Sequence, residues 1–414
     1  MSVNNTRLID RFETISAIGK TKNGGVTRLA LSERDKEARD VFVNWLKELN
    51  LDVRIDDFGN IYGIKYGTNQ QLKPIVMGSH LDSVIKGGKY DGTLGVLVGL
   101  EVIESFIEQN IEHERSLIVV NFTNEEGARF PKPMLCSGGI TGVFNKEEIY
   151  ELKDDDGLRF IDELKKISYL GDEKNRLQEV EAFIELHIEQ GPVLVENEAK
   201  VGVVKGIQGL AWYEVTFLGE ADHAGPTPMK KRKDAFIGVA KSIYKLTQWV
   251  KSLNDETSIT FGKASVEPNI INVIPGKATF SIDLRHPDKE ILSERIATMK
   301  EVLVKVALEE RLDSQIKELS HMNPVEFSES LVSKLETISK IENLEMKTMY
   351  SGAGHDAMYM NRIGPTVMIF VPSLNGKSHC EEEISSWEDI ISCSNVMFKL
   401  VKEICKSSYH SLET

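Results

Sequence analysis

The sequence predicts an α/β fold interrupted by an inserted α+β domain of ferredoxin-like pattern, on three observations. Apolar runs of strand length alternate with helical periodicities at both ends of the chain, the order in which parallel sheets are built. Between about Gly206 and Asn323 the order changes to strand, helix, strand, strand, helix, strand, the split βαβ pattern. Outside that insert, His, Asp and Glu residues gather at the ends of the expected strands. At 414 residues the chain is long for one core, so two domains are the default expectation. The expected boundaries are 1–206 with 324–414 for the outer α/β domain and 207–323 for the insert.

The elements follow in order. Ser32-Glu-Arg-Asp35 is a capping-box-like start, after which Ala38, Val41, Phe42, Trp45, Leu46 and Leu49 recur at helical spacing, so the first clear helix runs to about Asn50. Leu51 to Phe58 and Ile61 to Tyr66 read as two strands around Gly59-Asn60, a hairpin signal. Pro74 leads into a strand from Ile75 to Gly78, then a helix from Thr93 to Gln109 and a strand from Leu117 to Thr123. That unit should cross over with right-handed topology. A further strand runs from Phe183 to Ile188, where alternation puts Glu185, His187 and Glu189 on one side.

In the insert, strands are expected at Ala211 to Leu218, Ser258 to Val266, Ala278 to Leu284 and Ser314 to Leu319, with helices at Asp234 to Leu253 and Lys289 to Leu308. The chain then returns to its α/β idiom. It offers a helix near Ser328 to Ile341, a strand from Thr366 to Val371 and a closing helix from about Trp387 to Lys406.

Composition narrows the function. Hydrophobic residues at 41% and charged residues at 28% are ordinary globular values, and the net charge of -14 argues against a nucleic-acid or anionic-membrane partner. The basic run Lys230-Lys231-Arg232-Lys233 reads as a solvated face. Met1 to Lys20 lacks the apolar segment of a signal peptide, and no apolar run reaches transmembrane length. The 4 cysteines, Cys136, Cys380, Cys393 and Cys405, have neither the density nor the spacing of a disulfide framework or a thiolate zinc site. A reducing cytoplasm fits best.

The chemistry centres on residues 75 to 95. A strand that ends in His80-Leu-Asp82 can hold the imidazole outside its carboxyl end, where open α/β sheets keep their sites, with the second carboxylate near enough to orient the ring. Asp91 follows in a Gly-flanked loop ahead of a long apolar helix. Glu125-Glu126 stands at the next strand end. Adjacent residues on extended backbone point to opposite sides, so one carboxylate can bind a metal while its neighbour faces substrate as a general base. With His80, Asp82, Asp91, Glu125, Glu126, His187 and His379 the chain has enough groups for two metals sharing a carboxylate. The nitrogen and oxygen donors suit Zn²⁺ first, with Mn²⁺, Co²⁺ or Ni²⁺ as substitutes. A Cys380-His379 nucleophile pair is disfavoured, because sequence neighbours rarely have the geometry of a dyad.

The motifs Gly78-Ser-His80-Leu-Asp82-Ser, Tyr90-Asp91-Gly, Asn124-Glu125-Glu126-Gly, His187-Ile-Glu-Gln190-Gly-Pro, Asp222-His223-Ala-Gly-Pro-Thr-Pro-Met229, Gly352-Ala-Gly-His355-Asp356-Ala and Ser378-His379-Cys380-Glu381-Glu382 occur in this order over nearly the whole chain. Together they resemble the N-carbamoyl-L-amino acid hydrolase and allantoate amidohydrolase branch of the M20 metallopeptidase family. The resemblance implies a di-metal catalytic domain with an inserted lid domain that also forms a homodimer interface. By that resemblance His80, Asp91 and His187 hold one divalent ion, and Asp91, Glu126 and His379 the other. It makes Asp82 the residue that orients His80, and Glu125 the general base. An imidazole at 187, where peptidase relatives often carry a carboxylate, resembles the amidohydrolase branch. The resemblance further implies that His223 reaches the partner subunit's active site to stabilise an oxyanion, and that Asn272 and Arg285 bind a substrate carboxylate. Gln190 and the loop from Gly352 to His355 would complete the pocket, while His286 and His321 read as structural.

The expected function is hydrolysis of the ureido C–N bond of N-carbamoyl-L-amino acids. Allantoate hydrolysis at the same site is the alternative, followed by aminoacylase or dipeptidase activity. A non-catalytic metal-binding dimer is the remote reading, and it leaves Glu125 without a purpose.

Overall fold

All six residues of Ile75 to His80 are buried, as in a strand covered on both faces. In the computed structural model, which describes residues 1–406, this strand lies inside a nine-stranded sheet. Helices α1 (Asn5–Ala17) and α2 (Glu33–Glu48) lead into β1 (Asp52–Ile55) and β2 (Ile61–Lys65), then β3 (Ile75–His80), α3 (Thr93–Glu108) and β4 (Leu117–Phe122). Short helices α4 (Leu135–Ile140), α5 (Lys146–Glu151) and α6 (Phe160–Lys166) precede β5 (Ala182–Ile188), α7 (Val193–Glu196) and β6 (Val201–Ile207).

Next come β7 (Gly209–Leu218), β8 (Asp222–His223), α8 (Ala235–Leu253), β9 (Ser258–Thr260), β10 (Ala264–Glu267), β11 (Val273–Ile274), β12 (Lys277–His286), α9 (Lys289–Glu310) and β13 (Asp313–Met322). The chain finishes with β14 (Val325–Glu326), α10 (Glu329–Ile341), β15 (Met346–Ser351), α11 (Ala357–Met360), β16 (Thr366–Val371) and α12 (Trp387–Ile404).

Contacts divide the chain into one unit of Met1–Gly206 with the described residues from Glu326 onward, and a second of Ile207–Val325. In the first, the strand order is β1-β2-β4-β3-β5-β16-β6-β14, with β15 on β6. The middle strands β4, β3, β5 and β16 run parallel, so their carboxyl ends share one edge. The expected hairpin is present: β1 and β2 pair antiparallel, and the Asp56 carboxylate accepts the amides of Phe58 and Asn60 across the turn. In the second unit β10-β12-β7-β13 form an antiparallel sheet with β9 also on β12. Alternate residues of β7 and β12, among them Tyr213, Phe217, Phe280 and Leu284, pack with α8 and α9 in one core.

The strands β6, β8, β11, β14 and β15 and the short helices α4 to α7 were not among the expected elements, and two further details depart from the sequence reading. The strand expected from Ser258 to Val266 is two pieces, because Thr260 pairs with Asp283 whereas Ala264 pairs with Phe280, a register change of one residue that a bulge near Gly262 absorbs. Helix α1 starts earlier than the first helix expected. Asn4 caps it by accepting from the amide of Arg7, and Leu8, Phe12 and Ile15 bury one stripe. Its ring Phe12 lies 4.8 Å from that of Tyr90 and 5.2 Å from that of Trp387. Among the described residues no helix is long and apolar enough to cross a membrane.

Removing the fully buried Phe12 side chain leaves a cavity among those rings. Phe12→Ala should lower unfolding free energy by about 3–5 kcal/mol, read from the urea midpoint at unchanged slope.

Candidate metal centre and active site

The shared edge of β3, β4, β5 and β16 delivers the reactive groups. His80 closes β3, and its Nδ1–H donates to the carbonyl of Asp82 at 2.9 Å. His187 lies on β5 and donates Nδ1–H to the carbonyl of Ile188 at 2.9 Å. A proton held on Nδ1 leaves the lone pair of Nε2 facing the site, the tautomer that a metal-binding imidazole needs. His80 Nε2 is buried and has no hydrogen-bond partner. Gly92, at φ 61, has room only for hydrogen, because a Cβ there would sit 2.3 Å from His80 Nε2.

Asp91 lies between two groups of donors. Its Oδ1 is 3.4 Å from His80 Nε2 and 3.1 Å from His187 Nε2. Its Oδ2 is 3.5 Å from His379 Nε2, which in turn is 3.3 Å from Glu126 Oε2. The donor atoms of His80, Asp91 and His187 all fall within 4.8 Å of one another, as do those of Asp91, Glu126 and His379. Nitrogen and oxygen donors, two groups joined through one carboxylate, and an unused imidazole lone pair fit divalent cations. Glu125 belongs to neither group. Its Oε2 lies 3.4 Å from His80 Nε2, and the residue is 7% exposed.

Charge is crowded here. Burial, and after it Asp356, Glu126 and Asp91, pushes the Glu125 carboxyl well above its ordinary range against the pull of His80. Burial and Asp91 do the same to Glu126. For Asp91 burial is outweighed by His187 and His80, which hold it well below the usual carboxylate range. The imidazole of His80 is disfavoured as a cation by burial, but Glu125, Asp91 and Asp82 together raise it well above the ordinary value.

Several expected roles change on inspection of the contacts. The Asp82 carboxylate does not reach the His80 ring, whose Nδ1–H is taken by the Asp82 carbonyl. Its Oδ1 and Oδ2 instead accept the amides of Glu125 and Glu126, each at 3.2 Å. Asp82 therefore orients His80 through its backbone and the glutamate pair through its side chain. His355, expected at the pocket, is buried behind His187, its ring centroid 4.4 Å away and its Nε2 3.0 Å from Ser351 Oγ. Burial and His187 press its pKa well below the ordinary value, so it backs the His187 ring as a neutral group. Gly352 has no atom within 4 Å of where a Cβ would stand. Gln190 lines, with Ser378, His379 and Ala353, a cavity of about 640 Å³, yet its Nε2 donates to Asp91 Oδ2 at 2.7 Å.

The donor atoms of Glu185, His187 and His355 also fall within 4.8 Å of one another, but the carboxylates of Glu185 and Glu189 have partners of their own. Glu185 accepts from Ser79 Oγ and the amide of Ala357, and Glu189 accepts the amides of Val193 and Leu194 at the start of α7. Sequence reading passed over Glu383, which is buried and bonds the amides of Tyr90 and Asp91. Its position four residues after His379 was the only signal available.

The remaining expected residues lie in the second unit. His223 is exposed on β8, and Val273 of β11 is its register partner. The neighbouring Asn272 carbonyl accepts the amide of Ala224 at 3.0 Å, so His223 and Asn272 share one ribbon. The amide of Gly225 donates to His223 Nδ1 at 3.0 Å, which places the ring proton of the neutral imidazole on Nε2. Arg285, on β12, pairs with Asp283 through Nε at 2.9 Å and Nη2 at 2.7 Å. His286 is buried and accepts the Asp288 amide, and His321 lies exposed on β13.

Comparison with known proteins finds similarity over nearly the whole chain. Residues 76–403 match the model of peptidase family M20/M25/M40. The N-carbamoyl-L-amino-acid amidohydrolase of Rhizobium meliloti is 37% identical over 97% of this chain and 96% of its own. The allantoate amidohydrolase of Bacillus subtilis is 35% identical over 93% of this chain and 94% of its own. Among solved structures, an amidase of the hydantoinase/carbamoylase family from Burkholderia multivorans superposes with a TM-score of 0.93 at 38% identity, over 97% of this chain and 98% of that one.

The Asp82 contacts predict a specific defect. Asp82→Asn leaves one oxygen for two amides and turns an NH₂ group toward the other. It should cost about 10–100-fold in metal affinity or turnover, the usual effect of disturbing groups that hold ligands. Ion content after dialysis against a graded chelator, alongside turnover, checks this.

Proposed function

Because the chain belongs to peptidase family M20/M25/M40, we propose that it hydrolyses the ureido carbon–nitrogen bond of N-carbamoyl-L-amino acids, giving the L-amino acid, carbon dioxide and ammonia. The observation that carries the reading is a buried Asp91 shared by two donor groups, with Glu125 beside them and committed to neither. Its substrate class is supported by the N-carbamoyl-L-amino-acid amidohydrolases among the relatives. Allantoate is the second reading, since allantoate amidohydrolases of Bacillus subtilis and Escherichia coli are each 35% identical to this chain.

His80, Asp91 and His187 would hold one ion, and Asp91, Glu126 and His379 the other. Zn²⁺ suits this set best, and Mn²⁺, Co²⁺ or Ni²⁺ would serve. Such ions supply Lewis acidity, polarising a carbonyl oxygen and lowering the pKa of water. Glu125 takes a proton from the attacking water and passes it to the leaving nitrogen. The forked guanidinium of Arg285, helped by Asn272, suits a substrate carboxylate, which would share or displace Asp283 there. His223 presents an Nε2–H donor, and such a donor aimed at developing charge is worth about 3 kcal/mol. We assign it to the active site of a second copy in a homodimer built through the inserted unit. The exposed Phe236, Tyr244 and Leu308 on α8 and α9 support that interface.

The experiment offers N-carbamoyl-L-amino acids, allantoate and N-acetyl-amino acids to protein loaded with Zn²⁺ or Mn²⁺. Ammonia and amino-acid release are read in parallel with a chelator control. Activity should favour carbamoyl substrates and vanish on chelation. Preference for allantoate would select the second reading, and activity on acetyl substrates alone would make the protein an aminoacylase. Glu125→Gln should keep its ions and lose about 10²–10⁴-fold in turnover; full activity would sink the assignment of the base.

A separate measurement addresses the dimer. Glu125→Gln and His223→Ala should each be nearly inactive alone, but mixed and re-annealed they should regain activity, because one site of each heterodimer then has both groups intact. No recovery on mixing would remove the partner subunit's His223 from the mechanism.

A further inference from the structure

Glu383 lies in the loop that carries His379, and its carboxylate is bound at both ends. Oε1 accepts the amides of Tyr90 at 2.9 Å and Asp91 at 3.1 Å. Oε2 accepts the hydroxyl of Ser378 at 2.8 Å. That hydroxyl, with one proton to give, also lies 3.1 Å from Asp91 Oδ2. Residues 90–91 and 378–379 are nearly three hundred positions apart in the chain, as the separation of 292 between Asp91 and Glu383 records. They belong to loops after different strands, and His379 stands at φ 55, a backbone region that a non-glycine residue keeps only when its surroundings hold it.

The space for this contact is reserved by Gly88. A Cβ there would come within 1.9 Å of Glu383 Oε1. The carboxylate is thus seated in a cradle open only because residue 88 has no side chain.

We propose that Glu383 is the positioning residue that joins the Asp91 loop to the His379 loop, so that Asp91 and His379 face a single cation at the Glu126 side of the centre. This rests on the two-ion reading above. His80 and His187 stay in place without it, their rings fixed by the carbonyls of Asp82 and Ile188, and the Asp91 loop keeps its anchor on the first turn of α3, where the Tyr90 carbonyl accepts the amide of Leu94 at 3.0 Å, whereas the His379 loop loses its tie. Loss of the Glu383 contact therefore weakens one ion selectively.

The test titrates the full-length protein with Mn²⁺ alone and reads ion stoichiometry and both dissociation constants by calorimetry, with thermal unfolding measured on the same samples. Wild type should take up two ions. Glu383→Ala should keep one at wild-type affinity and bind the other about 10–100-fold more weakly. Glu383→Gln, which retains an oxygen for the two amides, should lie nearer wild type. Gly88→Ala is the second variant: its backbone lies outside the left-handed region, and the atoms it would displace end a flexible side chain, so the fold is kept while the carboxylate is pushed off the amides. It should reproduce the Glu383→Ala defect. Equal weakening of both ions, or lower thermal stability with both ions bound at wild-type affinity, would overturn the proposal as marking a merely structural contact. Failure of the two-ion reading would be visible separately, in a wild-type protein that takes up fewer than two ions.

Discussion

The structure depends on holding several carboxylates together where water is scarce. Asp82, Asp91 and Glu125 are buried, and Asp91, Glu125 and Glu126 each lie within 3.5 Å of an imidazole. Burying one unpaired carboxylate is expensive, and several in mutual contact repel as well. Imidazoles offset part of this, since the neighbouring acids raise His80 and His187 above their ordinary values although burial opposes the charge. A divalent ion held between Asp91 and its neighbours would offset the rest, in keeping with the nitrogen and oxygen donors of the two groups.

The fold brings this charge together by topology. Four parallel strands end on one edge, so groups from residues 80, 91, 126, 187 and 379 meet although the chain scatters them. Main-chain groups then set the fine geometry. Carbonyls of Asp82 and Ile188 fix which ring nitrogen carries a proton, and the Asp82 carboxylate gathers the amides of Glu125 and Glu126. The donors are side chains, but their aim is set by backbone.

That division explains what was legible in the sequence. Strand-end His and acid residues are visible because an apolar run followed by His-x-Asp or Glu-Glu combines periodicity with chemistry. The core strands were legible for the same reason. Contacts between side chains and distant amides have no periodic signature, so Asp82 was assigned to the wrong atom and Glu383 was passed over. His355 was placed at the pocket by the family resemblance of its motif; only the packing shows it behind His187. Helix α1 was missed because Arg7, Asp10, Arg11 and Glu13 interrupt an apolar stripe of three residues, although Arg7 is spent on Glu101 of α3.

Arg28 shows how such remote packing bears on the site. It is fully buried, and its guanidinium donates to the carbonyls of Ile15, Ile18 and Leu81 and to Thr93 Oγ1. Burial lowers its pKa to about 10, against the opposing pull of Asp35 and Asp82. No carboxylate is within its hydrogen-bond set, so its positive charge is balanced at longer range by Asp35 in the first turn of α2 and by Asp82 beyond β3. One side chain thereby ties the end of α1, the residue after His80 and the start of α3 into a single rigid corner. The amino-terminal helix, remote from the metal-binding motifs in sequence, is in this way part of the support that holds the His80 turn against the repulsion of its own carboxylates.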